Sequence, residues 1–251
     1  MSVFAIADLH LSTGTGTNKS MEVFGHRWLG YVEKIRRNWE AVVRPGDTVV
    51  IPGDVSWGMR LAEALPDLQF LQDLPGRKLI GKGNHDFWWS TATKMNDFFA
   101  AHGLDSLRIL YNNAYLVEGR VLCGTRGWFL DEAQQKTVGT PEYAKVVNRE
   151  VVRLRLSLDA AAGLCRAEVD AGRPRPPICV FLHFPPVWLD FVCREFVDVL
   201  HEYGVRDCLF GHIHGMYRAP QSFEFEHIRM SLCASDHLNF NLLPLAPLPA
   251  P

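Results

Sequence analysis

Lys78–Asp86, read as KLIGKGNHD, is the stretch that decides the fold. Residues 78–82 form a short apolar run closed by glycine, which reads as a buried strand running into a turn. Gly83-Asn84-His85-Asp86 then sets a carbonyl ligand, a proton donor and a carboxylate in consecutive positions. Taken alone, the tetrapeptide reads equally well as an ordinary turn, because Asn and Asp favour turns for backbone reasons. The deciding question is whether a strand tipped with metal-binding side chains recurs elsewhere.

It recurs along the chain. VFAIA (3–7) precedes Asp8-Leu9-His10, and TVVIP (48–52) precedes Gly53-Asp54. ICVFL (178–182) precedes His183, which Phe184-Pro185-Pro186 holds at a sharp strand end. DCLF (207–210) precedes Gly211-His212-Ile213-His214-Gly215. Residues two apart on an extended chain point the same way, so Asp8 with His10, and His212 with His214, can converge on an ion. Each motif singly has a plainer explanation as a solvated acid, a loop turn or a packed histidine. The repeated architecture is what points to a metal site at strand ends.

Helix-like stretches lie between these runs, roughly over 26–43, 61–74, 90–102 and 190–203. The strongest begins after Thr140 as N-cap and Pro141 at the first helical position. Val147, Val151, Leu154, Leu158 and Ala161 follow at helical spacing, and the end is expected near Gly172. Alternating strands and helices imply an α/β layered fold. A second group of strand candidates, AYLVEG (114–119), RVLCGTRGW (120–128), FEFEHIRMSL (223–232) and the residues near Cys233, implies a second sheet. One domain over 1–243 is expected, with a proline-rich tail over 244–251. That tail reads as a loose end rather than a polyproline ligand.

Composition narrows the class. Hydrophobic residues make up 47% of the 251 and charged residues 22%, the balance of a packed globular protein. Twenty-six Lys and Arg against 28 Asp and Glu give a net charge of −2, so no overall positive field draws in nucleic acid or an anionic membrane. The opening residues reach Asp8 too soon for a signal peptide or a span. The six cysteines show no Cys-x-x-Cys pair and lie mostly in apolar runs, the usage of a reducing compartment. A cytoplasmic protein that does not bind membranes is the expectation; the oligomeric state is open.

The ordered series Asp-x-His, Gly-Asp, Gly-Asn-His-Asp, isolated His and Gly-His-x-His, spanning residues 3–215, resembles the calcineurin-like metallophosphoesterase superfamily, and a group of bacterial predicted phosphohydrolases within it. The resemblance implies a four-layer α-β-β-α sandwich of two mixed sheets flanked by helices, with the metal site at the strand ends. It implies one metal on Asp8, His10 and His214, another on Asn84, His183 and His212, and Asp54 bridging both. Two divalent ions about 3.5–4 Å apart would clamp phosphate oxygens and lower the pKa of a shared water. His85 is implied as a non-ligand histidine facing the phosphoryl group, either protonating the departing oxygen or stabilising charge on the transferring phosphate, with Asp86 its orienting partner.

Mixed nitrogen and oxygen ligands suit Mn, Fe, Zn or Co better than Ca or Mg. The expected substrate is a small phosphomonoester or phosphodiester. A nuclease of the same superfamily is the nearer alternative, disfavoured by the acidic balance. A non-catalytic scaffold with this fold is the other, disfavoured because no ligand of the series is missing. The stretch 11–30 reads as a lid or wall over the metals, or as a plain loop. Trp57, Arg60, Trp88, Trp89, Arg126 and Trp128 stand near the motifs and are each read as packing.

Overall fold

The computed structural model describes residues 1–14, 19–128 and 139–247. Its first sheet carries β1 (Val3–Ala5), β2 (Thr48–Ile51), β3 (Arg77–Ile80) and β4 (Leu107–Ile109) as parallel neighbours in that order. The second contains β5 (Asn113–Val117), β6 (Arg120–Thr125), β7 (Ile178–Leu182), β10 (Asp207–Phe210), β11 (Ser222–Phe225) and β12 (Ile228–Leu232), in the order β11-β12-β10-β7-β6-β5. There β12, β10, β7 and β6 run parallel, while β11 and β5 are antiparallel at the two edges. Both sheets are therefore mixed once β13 (Leu243–Pro244) is added antiparallel to β1.

Strand alternation sorts the core into three seams. Ala5, Val50 and Leu79 of the first sheet meet Leu122, Cys179, Phe181 and Leu209 of the second, so the two sheets pack face to face. The intervening residues point outward: Phe4, Val49, Ile51 and Ile80 face α1 (Tyr31–Val42), α2 (Leu65–Asp73) and α3 (Ala92–Ala101). On the far side Val121, Cys123, Ile178, Val180, Cys208 and Phe210 face α4 (Pro141–Asp170) and α5 (Arg194–Glu202). A period of two along each strand thus produces the expected four layers, helix, sheet, sheet, helix. The six cysteines are buried and free. Among the described residues no helix is long and apolar enough to cross a membrane.

Several expected boundaries move, each for a local reason. Gly30 at φ 61° splits the helix read from residue 26 into a short 3-10 turn, His26–Trp28, and α1, and Gly25 at φ 114° separates that turn from another over Met21–Phe24. The helix read from residue 190 is preceded by a hairpin, β8 (Val187–Trp188) and β9 (Phe191–Val192), turning through Leu189 at φ 50°. Three-residue β4 is too short to show a period and leaves no signal in the sequence. Pro244, placed at the start of the tail, pairs with Phe4 on an outer strand, where its missing N–H does no harm. Leu245 N–H still donates to Val3 O at 2.9 Å. Residues 248–251 of that tail lie outside the described residues.

The long helix follows its sequence signals. Thr140 Oγ1 accepts from Tyr143 N–H at 3.2 Å, and the helix closes before Gly172 at φ 75°. Its buried Ser157 fastens it to the sheet, accepting Gly124 N–H at 2.7 Å and lying 2.7 Å from Asn113 O. Ser157→Ala strands a buried backbone donor, and we expect urea unfolding to show a loss of about 1–3 kcal/mol with the helix content of the folded protein unchanged.

Candidate metal centre

The parallel strands of both sheets end on one edge of the sandwich, and the side chains just beyond them converge there. Asp8 follows β1, Asp54 follows β2, Asn84 to Asp86 follow β3, His183 follows β7 and His212 follows β10. Four non-glycine residues in three of these turns use left-handed backbone: Asp8 at φ 60°, His10 at 45°, Asp54 at 51° and His212 at 69°. Such conformations cost free energy and persist where the surroundings fix them, typically at functional sites. Two glycines make room. A Cβ on Gly83 would collide with the Asp54 carboxylate, and one on Gly211 with that of Asp8.

The carboxylates divide by what their oxygens do. Asp8 Oδ2 accepts His212 N–H at 2.9 Å, while its buried Oδ1 has no hydrogen-bond partner. Asp54 Oδ1 accepts His85 N–H at 2.8 Å, and its Oδ2 lies 3.6 Å from His10 Nε2 and 3.5 Å from His183 Nε2. Each therefore has one oxygen anchored and one turned toward imidazoles. Asp86 is different. Its oxygens accept from Gly83 N, Asp54 N, Val55 N and Trp88 Nε1 at 2.8–3.0 Å, with Ser56 N at 3.4 Å.

No hydrogen bond joins Asp86 to the His85 ring, so the orienting role expected for it is corrected by these contacts: it ties the β2 and β3 turns together. The His85 imidazole is instead half-buried beside Trp57, with ring centroids 4.6 Å apart. Burial, then His214 and Lys19, lower its pKa, the reverse of what an adjacent carboxylate would do.

Two groups of donors gather tightly enough for an ion: Asp8, His10 and His214, and Asp8, Asp54 and His183, with ligand atoms within 4.8 Å of one another in each. His10 Nε2 and His214 Nε2 are 3.2 Å apart, a spacing that two imidazoles on one ion at about 2.0–2.1 Å would take. Asn84 Oδ1 stands 2.6 Å from His183 Nε2. The His212 ring packs beside both groups, 5.2 Å from that of His183. Asp8 thus falls in both geometric groups, whereas the resemblance assigns it to one.

Whether a cation fits is decided by the second group. His183 Nδ1 and Asp8 Oδ1 lie 3.7 Å apart and are both buried without a hydrogen-bond partner, while His183 Nε2 stands 2.6 Å from Asn84 Oδ1 and 3.5 Å from Asp54 Oδ2. Buried polar atoms left unpaired within a set of oxygen and nitrogen donors are an arrangement that a cation satisfies. The electrostatics agree. Burial, opposed by His214 and the His212 N–H, pushes the Asp8 carboxyl up to about 7, and burial with the Asp86 and Asp8 charges pushes Asp54 well up. Burial and neighbouring histidines hold His10 and His183 far below the usual imidazole range.

Two contributors carry no clear mark in the sequence. Asp236, fully buried just beyond β12, lies 2.8 Å from His214 Nδ1 and accepts Gly215 N–H at 3.0 Å, which fixes the His214 tautomer with Nε2 facing His10. Its only signal is again a strand tipped with an acid. Trp57, read as packing, stacks on His10 at 4.9 Å and 26°. The described part of 11–30 forms a wall: Thr13 is bonded to Asp67 at 2.7 Å, and the buried Trp28 ring stands 5.7 Å from His214 and 6.2 Å from His10. Arg27 donates to Asp236 O.

Because Asp8 holds its proton up to about 7, divalent-ion binding must displace that proton at lower pH. Apparent affinity of the chelator-treated protein for Mn²⁺ or Zn²⁺ should therefore climb as pH rises through 7, and further as the raised Asp54 and His214 give up their protons, read by titration calorimetry in two buffers of different ionisation enthalpy. Asp86→Asn puts amide hydrogens against backbone donors; we expect a lower melting temperature by several degrees, measured by calorimetry.

No curated protein matches the chain in sequence. Among solved structures, the phosphopantetheinyl hydrolase of Mycobacterium tuberculosis is similar with a TM-score of 0.55 at 16% identity, over 100% of this chain and 98% of that one. A protein of unknown function from Aquifex aeolicus, AQ665, aligns with a TM-score of 0.43 at 16% identity, over 97% of this chain and 95% of that one. At such identities the likeness is one of fold. The family model for calcineurin-like phosphoesterase matches residues 1–216, which contain every candidate ligand named above, and the chain belongs to that family of metal-dependent phosphoester hydrolases.

Proposed function

We propose that this chain hydrolyses a small phosphate ester, monoester or diester, at a pair of divalent transition ions. Asp8, His10 and His214 would hold one ion, Asn84, His183 and His212 the other, and Asp54 would span both. The observation that carries this reading is the position of Asp54 Oδ2, 3.6 Å from His10 Nε2 and 3.5 Å from His183 Nε2, one oxygen between an imidazole of each set. When bound, the ions would polarise the phosphoryl oxygens and make a water acidic enough to attack at neutral pH. The mixed nitrogen and oxygen donors suit Mn, Fe, Zn or Co.

The protein groups divide the remaining work. His85 is not a member of either donor group and sits at the mouth of the cluster, where its ring can meet the ester oxygen. Its pKa is lowered in the free protein, so it enters the reaction neutral and gains a proton as the anionic phosphate arrives beside it. It then holds that proton for the departing oxygen. Trp57 limits the swing of both His10 and His85, and Asp86 holds the two turns that present Asp54 and His85. A cytoplasmic setting suits the six unpaired thiols.

Purified protein should contain about two transition ions per chain and hydrolyse an aryl phosphate; full activity after complete chelation would sink the reading. His85→Ala should lower kcat by about 10²–10⁴ with metal retained, whereas Asp54→Ala should empty both positions, as elemental analysis would show. Equal metal loss in the two variants contradicts the division of roles.

A further inference from the structure

One strand outward from the acids and imidazoles, positive charge collects. Arg126 ends β6, the neighbour of β7, and its carbonyl accepts the N–H groups of His183 and Phe184 at 3.0 and 2.9 Å. Its guanidinium lies 5.8 Å from the Phe184 ring, and that ring packs 4.5 Å from His212. Lys82 directly precedes Gly83 and Asn84, at the end of β3. From α4 come Arg149, Arg153 and Glu150. All of these stand on the catalytic edge of the sandwich, where α/β sheets bind ligands.

The charges there do not balance. Arg126 Nη2, Arg149 Nε and Arg153 Nη1 all bond the same oxygen of the fully buried Glu150, the first two at 3.2 and 3.3 Å. Among the described residues one carboxylate faces three guanidiniums, and half-buried Lys82 lies within the field of Arg126, Arg153, Glu150 and Asp86. Arg126 and Arg153 are only 18% and 33% exposed. A structural ion pair calls for one cation per acid; crowding further cations around it, part-desolvated, costs free energy unless an anion joins them.

We infer that Lys82, Arg126 and Arg153 form a second anion subsite beside the metal centre, so that the substrate is a phosphate ester bearing a second anionic group, a phosphate foremost. The Trp128 ring, 5.8 Å from the Arg126 guanidinium, offers a flat apolar surface to whatever links the two anions. Guanidinium forks match phosphate oxygens in pairs, which favours phosphate over a lone carboxylate. The patch is compact in a chain of net charge −2, which favours a small bis-anionic molecule over a polymer. The inference rests on the phosphoester reading above for the first anion.

The test is titration calorimetry of the metal-loaded chain with adenosine 3′,5′-bisphosphate and adenosine 5′-monophosphate. The bisphosphate should bind about tenfold more tightly or better, as a charge-assisted phosphate contact supplies. That ratio should fall toward one in Arg126→Gln and Arg153→Gln; loss of fold or of metal would weaken both ligands alike. Lys82→Gln, which breaks no bond to Glu150, keeps the test readable should an arginine variant fail to fold. A wild-type ratio near one, or a ratio unchanged in Lys82→Gln and Arg126→Gln, overturns the subsite. An oligodeoxynucleotide that binds tighter still, with steep salt dependence, overturns the small-molecule assignment. Non-hydrolysable phosphonate analogues of the two ligands keep binding apart from turnover: a chain that shows the ratio yet hydrolyses no aryl phosphate would strike the catalytic reading and leave the subsite standing.

Discussion

The structure depends on burying polar atoms that have no hydrogen-bond partner. Asp8 Oδ1 and His183 Nδ1 face each other, 3.7 Å apart, with no partner for either, and unpaired buried polar atoms are among the costliest features a fold can contain. Everything around them keeps that pair from relaxing. The outer oxygen of Asp8 is tied to His212 N–H, an outer oxygen of Asp54 to His85 N–H, and the turn bearing Asp54 is locked to the Gly83 turn by Asp86. The rigid β-sheet edge supplies the strength: the strands of two packed sheets must move together before any one acceptor can turn away.

The same constraint explains which residues are legible in the sequence. A candidate ligand at a strand tip leaves an apolar run closed by a polar residue, with glycine beside Asp54, Asn84, His212 and His214, and it is the recurrence of that pattern from Asp8 to His214 that stands out. The glycines belong to the signal, since Gly83 and Gly211 leave space into which the carboxylates of Asp54 and Asp8 project. Asp86 shows where such reading ends. Its place next to His85 suggests a partner for that ring, yet its oxygens face backwards into the donors of the two turns and the Trp88 indole. Spacing reports which residues are close and not which way a tight turn aims them.

Residues that act by holding others leave fainter marks. Asp236 belongs to no dipeptide motif, and its importance lies in a contact 22 positions away, with His214 Nδ1. Trp57 reads as packing and is packed, but against two imidazoles. The fold has the same division. Apolar runs at β1, β2, β3, β7 and β10 with helix-like stretches between them foretell the layered fold, while β4, β13 and the β8–β9 hairpin are short and no such tipped run marks them. Their positions follow from the strands they pair with, which is tertiary information.

Charge changes sign across the site, and this orders the chemistry. Inside, carboxylates with raised pKa values and imidazoles held neutral form a pocket deficient in positive charge, which divalent ions would correct. One strand outward, Lys82 and the arginines around Glu150 form a region deficient in negative charge, and His85 at the mouth is held neutral by burial and by His214 and Lys19. A cation answers the first deficit and an anionic ester the second, so neither ligand alone completes the electrostatics.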